Sequence, residues 1–207
     1  MLLKRNLLWI VFFGTMIGLS ETLIGSANIP FRSVILTSLS LMLLSVARYQ
    51  IPKAGSSFLI ILIAVLFKIN NLGFYSCTTN VFLCGPTAVL ILGICYEITA
   101  SLLLSEKPFK YRSFVLTGGI AAIATFALFA MMNTFLLGSW STSRLFEYIF
   151  FKGTLTAIAS GAISLLMLYV IRNKKSGSFA KGHPYLVKGA LGLVILALWI
   201  LGTVTKF

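Results

Sequence analysis

The sequence predicts an all-α fold: a polytopic transmembrane helix bundle of six core spans plus a seventh C-terminal span. Three observations predict it. Of the 207 residues, 58% are hydrophobic and only 10% are charged, against about 25% charged in soluble domains. Mean hydropathy is +1.00. The 17 lysines and arginines fall in short gaps between apolar runs, as the positive-inside rule requires. The formal charge of +13 is thus spread over connections rather than gathered in a basic domain, which argues against nucleic acid as a partner. The bilayer is the expected surrounding.

A span needs about 20 apolar residues. Read at that length, the sequence places helices near 6–29, 33–48, 54–69, 83–104, 113–137, 145–171 and 188–205. The first follows Lys4 and Arg5, and its apolar stretch far exceeds the 7–15 residues of a signal peptide, so a retained helix is expected. Pro30, Pro52 and Pro108 fall in connections. Pro86, after Gly85, is placed in the first turn of helix four. The expected organisation is a core over 1–172, a basic cytoplasmic connection over 173–188 and an additional helix over 189–207.

Cation counting sets an orientation. With the N-terminus inside, Lys4, Arg5, Arg48, Lys53, Lys107, Lys110, Arg112, Arg172, Lys174, Lys175, Lys181 and Lys188 face the cytoplasm, 12 of the 17. Arg32, Lys68, Arg144, Lys152 and Lys206 do not. A multi-pass protein of a bacterial-type inner membrane is expected, with the N-terminus cytoplasmic and the C-terminus outside. The connections over 69–82 and 138–144 then lie on the outer side.

Ionisable residues inside spans cost roughly 2.5–3.5 kcal/mol each on insertion scales and default to a functional hypothesis. Gly14, Gly18, Glu21 and Gly25 lie at i, i+4, i+7 and i+11, one narrow stripe that turns Glu21 toward protein. Pro86, Leu90, Gly93 and Glu97 do the same for Glu97. A ligand site is expected from Glu21, Arg32, Lys68, Asn70, Asn71, Asn80, Glu97, Asn133, Arg144, Glu147 and Lys152, most of them toward the outer face. Residues 68–80 would cap it, with Glu21, Asn133 and Lys152 in its floor. Arg32, Lys68, Arg144 and Lys152 against Glu21 and Glu147 leave a local charge of about +2, four minus two, which suits a carboxylate or phosphate. The competing reading is structural: Glu21–Lys152, Glu97–Lys68 and Arg144–Glu147 pairs would simply hold helices together.

Enzyme signals are thin. The chain has no Asp, and its one histidine, His183, sits in a basic connection. It has no HExxH, GxSxG or P-loop pattern. Cys77, Cys84 and Cys95 lack CxxC spacing, which disfavours a metal. Cys77 and Cys84 are read either as an oxidised pair or as small packing residues. No catalytic activity, cofactor or metal is expected.

The Gly14-Thr15-Met16-Ile17-Gly18 motif early in helix one, about six spans and polar outer connections are similar to the substrate-binding S components of energy-coupling factor transporters. The resemblance covers residues 1 to about 172. It implies a vitamin-like or anionic solute captured under connections 27–33 and 70–80. It also implies that Gly14 and Gly18 dock on a transmembrane coupling subunit served by ATPases. The family's motif usually carries alanines rather than glycines, its chains usually have six spans rather than seven, and this sequence lacks the histidine motif of the metal-transporting branch. The alternative function is a structural or assembly subunit of a larger membrane complex.

Overall fold

In a computed structural model the backbone is described for residues 2–26, 30–72, 79–104, 111–138 and 140–174, with side chains over 6–24, 30–69, 85–104, 112–138 and 140–166. All the regular structure among them is helical. In chain order it comprises α1 (Leu2–Ser26), α2 (Arg32–Gln50), α3 (Ser56–Leu72), α4 (Thr79–Leu103) and α5 (Tyr111–Met131). A π-helical turn, Met132–Leu136, ends α5. The short α6 (Thr142–Phe146) then runs through a second π-helical stretch, Glu147–Gly153, into α7 (Thr154–Lys174). The expected seventh segment, most of the basic connection and the 73–78 part of the cap lie outside the described residues.

Among the described residues five stretches are long and apolar enough to cross a membrane: Asn6–Ile24, Arg32–Gln50, Gly85–Leu103, Arg112–Leu136 and Thr142–Leu166. Ser56–Ile69 is apolar but shorter. The outward faces are apolar too. Ile94, Ile98 and Leu102 are exposed at i, i+4 and i+8 on α4, as are Leu116, Ile120 and Ile123 at i, i+4 and i+7 on α5. A helix apolar on its outer face as well as its inner one belongs in lipid.

Neighbouring helices form a closed ring in the order α1, α3, α4, α5, α7, α2 and back to α1. Helix α2 also reaches α3, α4 and α5. It is the most buried of the five long stretches and the least apolar. Ser38, Ser40, Ser45 and Arg48 are all buried on it. The helices with more lipid-facing surface carry the hydrophobicity, and the most buried one is free to carry polar groups.

Small residues set the close approaches, since lipid offers no hydrophobic drive for helices to associate. A methyl group added at Gly14 would stand 2.7 Å from the Ile60 carbonyl, and one at Gly18 would stand 2.8 Å from Phe67. Gly93 meets Ile61 at 2.6 Å by the same measure. The Gly14–Gly18 stripe, expected to receive a partner helix, therefore receives α3 of the same chain. On the other side of the ring Gly161 packs on Val115, and Gly153 on Phe126. Some buried hydroxyls are satisfied within their own helices: Ser45 donates to the Leu41 carbonyl and Thr99 to that of Cys95, each at 2.8 Å. Such back-bonding lets Ser and Thr sit in a helix without an external partner.

Helix α4 begins a turn earlier than expected. It starts at Thr79 and runs through Pro86, so that proline lies inside the helix rather than in its first turn. Proline removes one i→i−4 hydrogen bond, a defect membrane helices accommodate because neighbouring helices can satisfy the freed carbonyl.

Candidate functional site

Alternating helix direction sorts the polar groups to two ends. The end of α1, the starts of α2 and α4, the end of α3 and the α5–α6 junction lie together. Glu21, Arg32, Lys68, Asn133, Arg144, Glu147 and Lys152 belong to that end. Arg48, Ser56, Ser57 and Glu97 belong to the other. Asn70 and Asn71 fall in the last turn of α3 and Asn80 in the first turn of α4, so the described ends of the expected connection are helix. The side chains of these three lie outside the described residues, as does any Cys77–Cys84 pairing. Cys95 is a free, buried thiol.

At the first end, Lys68 Nζ donates to Glu21 Oε2 at 2.8 Å. The side chains are 16% and 11% exposed, respectively. Gly85 makes the room: a Cβ there would come within 2.9 Å of Lys68 Cε and 3.0 Å of Nζ. The Gly85-Pro86 pair thus opens a niche on α4 for a lysine delivered by α3. The expected Glu21–Lys152 pair is not formed, because α1 lies beside α3 and Lys68 meets Glu21 first. Asn133 is 2% exposed and sits in the π-helical turn, where its Nδ2 donates to the Phe129 carbonyl at 2.8 Å. Single π turns are frequent at functional sites.

Further along that end, the remaining charges lie on an aromatic group. Lys152 pairs loosely with Glu147 at 3.7 Å and lies 3.8 Å from the centroid of the Tyr148 ring. Arg144 lies 4.8 Å from that of Trp140. Among the described residues, Glu147 therefore pairs with Lys152 rather than with Arg144, whose guanidinium turns to the indole instead.

The opposite end holds Glu97, so it cannot join Lys68 in one site; α3 and α4 run antiparallel and carry the two residues to different ends. Glu97 Oε1 instead meets Arg48 Nη1 at 3.4 Å and accepts from the Gly55 N–H at 2.7 Å. Its Oε2 accepts from the Ser57 N–H at 3.2 Å. Ser101 adds a contact at 3.4 Å. A carboxylate from α4 thereby caps the N-terminus of α3, satisfying N–H groups that a helix start leaves orphaned and complementing its dipole. Arg48, 5% exposed, stands in the last turn of α2, where a cation is favoured, and also donates to the Lys53 carbonyl. Sequence reasoning missed Arg48, which read as one more loop cation. The available signal was the five-residue 51–55 connection, which keeps the end of α2 beside the start of α3.

The chemistry of the two ends differs in saturation. Glu97 has four polar partners. Lys68 carries three donors, and among the described residues its one polar contact is Glu21. Among the described residues the Glu21–Lys68 pair is satisfied by one mutual hydrogen bond, whereas the Glu97 carboxylate is shared among Arg48, Gly55, Ser57 and Ser101. Comparison with family models, with curated proteins and with solved structures finds no match.

Proposed function

We propose that the chain is a non-catalytic, membrane-embedded solute-binding protein of six core spans and a seventh C-terminal span, whose site is the Glu21–Lys68 pair with Asn133 toward the same end. The observation that carries it is the pair itself, joined by one mutual hydrogen bond among the described residues. A half-buried ammonium and carboxylate with spare hydrogen-bonding capacity suit a small solute bearing a carboxylate or phosphate alongside a donor group. The cation split, 12 of 17 on one side, supports an outer position for this end and a cytoplasmic N-terminus. Uptake is then the natural role. Docking on a coupling subunit and its ATPases would use a face other than Gly14 and Gly18, which α3 occupies. An assembly subunit is the weaker reading, because Glu21, Glu97 and Glu147 all find partners within the chain rather than awaiting a partner helix.

Native mass spectrometry of gently solubilised protein tests it. The expected result is a retained small molecule, lost in the Glu21→Gln/Lys68→Met double variant while the melting temperature holds. Failure to retain any molecule, or its loss in step with melting, overturns the reading. For orientation, single cysteines at Lys53 and Ser143, in a chain lacking Cys77, Cys84 and Cys95, should label from opposite sides. Labelling of both from the outside would refute the topology.

A further inference from the structure

Helix α7 is polar inside and apolar outside. Over its described side chains, the buried residues are Thr156, Ser160, Gly161 and Ser164, with no large apolar group among them. Leu155, Ile158, Ile163, Leu165 and Leu166 are exposed. Across the ring the inner surface is different, since α3 buries Ile60, Ile61, Val65 and Phe67. Small polar residues in a membrane helix have a structural use, which is to let backbones approach closely. The glycines show where that use applies. A methyl group added at Gly14, Gly18 or Gly93 would collide with α3, at 2.7, 2.8 and 2.6 Å respectively. One added at Gly118 or Gly119 of α5 would stand 3.6 Å from Ser160 Oγ or 3.8 Å from Ala157 Cβ, in ordinary contact. Only Gly161, 3.2 Å from Val115 by the same measure, closes a flank of this seam tightly.

One hydroxyl in the seam has no partner among the described residues. Thr156 donates to the Lys152 carbonyl at 2.7 Å and Ser160 to that of Ala157 at 3.2 Å. Ser164, 1% exposed, makes no such bond through its Oγ. Spacing shows where it points. Ser160 and Gly161 both meet α5, at Gly118 and Val115. A helix turns about 100° per residue, so Ser164 falls between those two in angle, one turn further along, and faces α5 as well. On α5 itself Gly119, Ala122, Ala130 and Asn133 lie at i, i+3, i+11 and i+14, on one face. Ala122, Ala130 and Asn133 are all buried there, and Asn133 stands at the outer end of the seam. A buried hydroxyl at membrane depth is costly unless something polar reaches it.

We propose that the α5–α7 seam is a hydrated crevice, leading inward from Asn133 to Ser164, that admits water and small neutral hydroxylated molecules. Serine and threonine hydroxyls both donate and accept, so they suit a guest that does the same. None of the residues named along the seam is ionisable, and an ion entering it would lose hydration without gaining a counter-charge. The crevice does not depend on the solute reading of the Glu21–Lys68 pair, because its own hydroxyls suffice to hold water.

Alkylation of single cysteines tests this, in a chain lacking Cys77, Cys84 and Cys95. Ser160→Cys and Ser164→Cys probe the seam. Val65→Cys probes the apolar core, and Ile158→Cys the lipid-facing side of α7. Iodoacetamide, small and neutral, should modify the two seam cysteines at least about tenfold faster than either control, because only a hydrated thiol ionises readily to the reactive thiolate. Gly118→Val should fill the seam and slow that reaction, with the melting temperature followed for every variant. Iodoacetate, an anion of similar size, should lag behind iodoacetamide by more than it does on free cysteine. Seam cysteines that react no faster than Val65→Cys in the folded protein overturn the proposal. So does a rate that Gly118→Val leaves unchanged in a folded variant. An iodoacetate lag equal to that on free cysteine would overturn the choice of neutral guests.

Discussion

The two ends of the bundle each bury an acid beside a base, yet they are built differently. At the Arg48 end the carboxylate of Glu97 has more than a cation to satisfy it. Two backbone N–H groups from the start of α3 and a serine hydroxyl share it, and Arg48 in turn holds the 51–55 connection. Three helices are tied by one charge pair. At the Glu21 end the charge pair adds one 2.8 Å hydrogen bond between α1 and α3 among the described residues, and a glycine stands where a larger residue would crowd the lysine. A charge pair that exists to hold helices together recruits every nearby donor. One that leaves donors idle is suited to a transient partner.

That contrast predicts an order of effects. The largest belongs to Arg48→Ala or Glu97→Ala. Each leaves a buried charge without its partner, and breaking such a pair costs about 3–5 kcal/mol. Chemical unfolding in detergent should show it, and solute retention should fall only because the fold does. Glu21→Gln should cost less, about 1–3 kcal/mol, the usual penalty for a buried group losing its hydrogen-bond partner. Equal losses at the two ends, measured in the same denaturant series, would abolish the distinction drawn between them.

Glycines sharpen the comparison further. Gly55 has φ +82°, a left-handed conformation that costs an L-residue about 1–2 kcal/mol. Its N–H is one of those bound by Glu97. Gly55→Ala should therefore destabilise by that amount even though open space surrounds its Cβ position. The smallest stability effect is expected at Gly85→Ala. The atoms it would meet are the far end of a flexible lysine, and replacing a helical glycine by alanine recovers up to about 1 kcal/mol of propensity. Melting should shift little while solute retention falls, because Lys68 is displaced from Glu21. A large loss of stability at Gly85 with retention unchanged would reverse the roles assigned to the two ends.

Much of this was legible along the chain. The i, i+4, i+7 stripe of α1 turned Glu21 into protein, and the glycine at 93 turned Glu97 inward. The same stripe misled on the question of what fills it, because a small-residue face states that something approaches closely and not whether that something is another chain or α3. Pro86 misled for a related reason. In water a proline marks a helix start or stop; in a bundle whose neighbours can satisfy the freed carbonyl, α4 continues through it. The charge pairs were the hardest to read. Glu97–Lys68 looked reasonable when both residues were counted toward one site, until antiparallel α3 and α4 set them at opposite ends.

The sequence by itself determined that this is a helical protein for a membrane, roughly where its described helices run and how its small-residue faces turn. Those properties follow from run length, composition and a periodicity of 3.6, all of them local. Only the tertiary structure decided which acid meets which base. That depends on the order of helices around the ring, α1 beside α3 and α3 beside α4, with α2 the most buried and free to be polar. Short connections permit several such orders, and the choice among them rests on the fit of glycines against particular side chains, Gly14 and Gly18 on α3, Gly93 on Ile61 and Gly85 on Lys68. That complementarity joins residues far apart in the chain, so no window along it contains the answer.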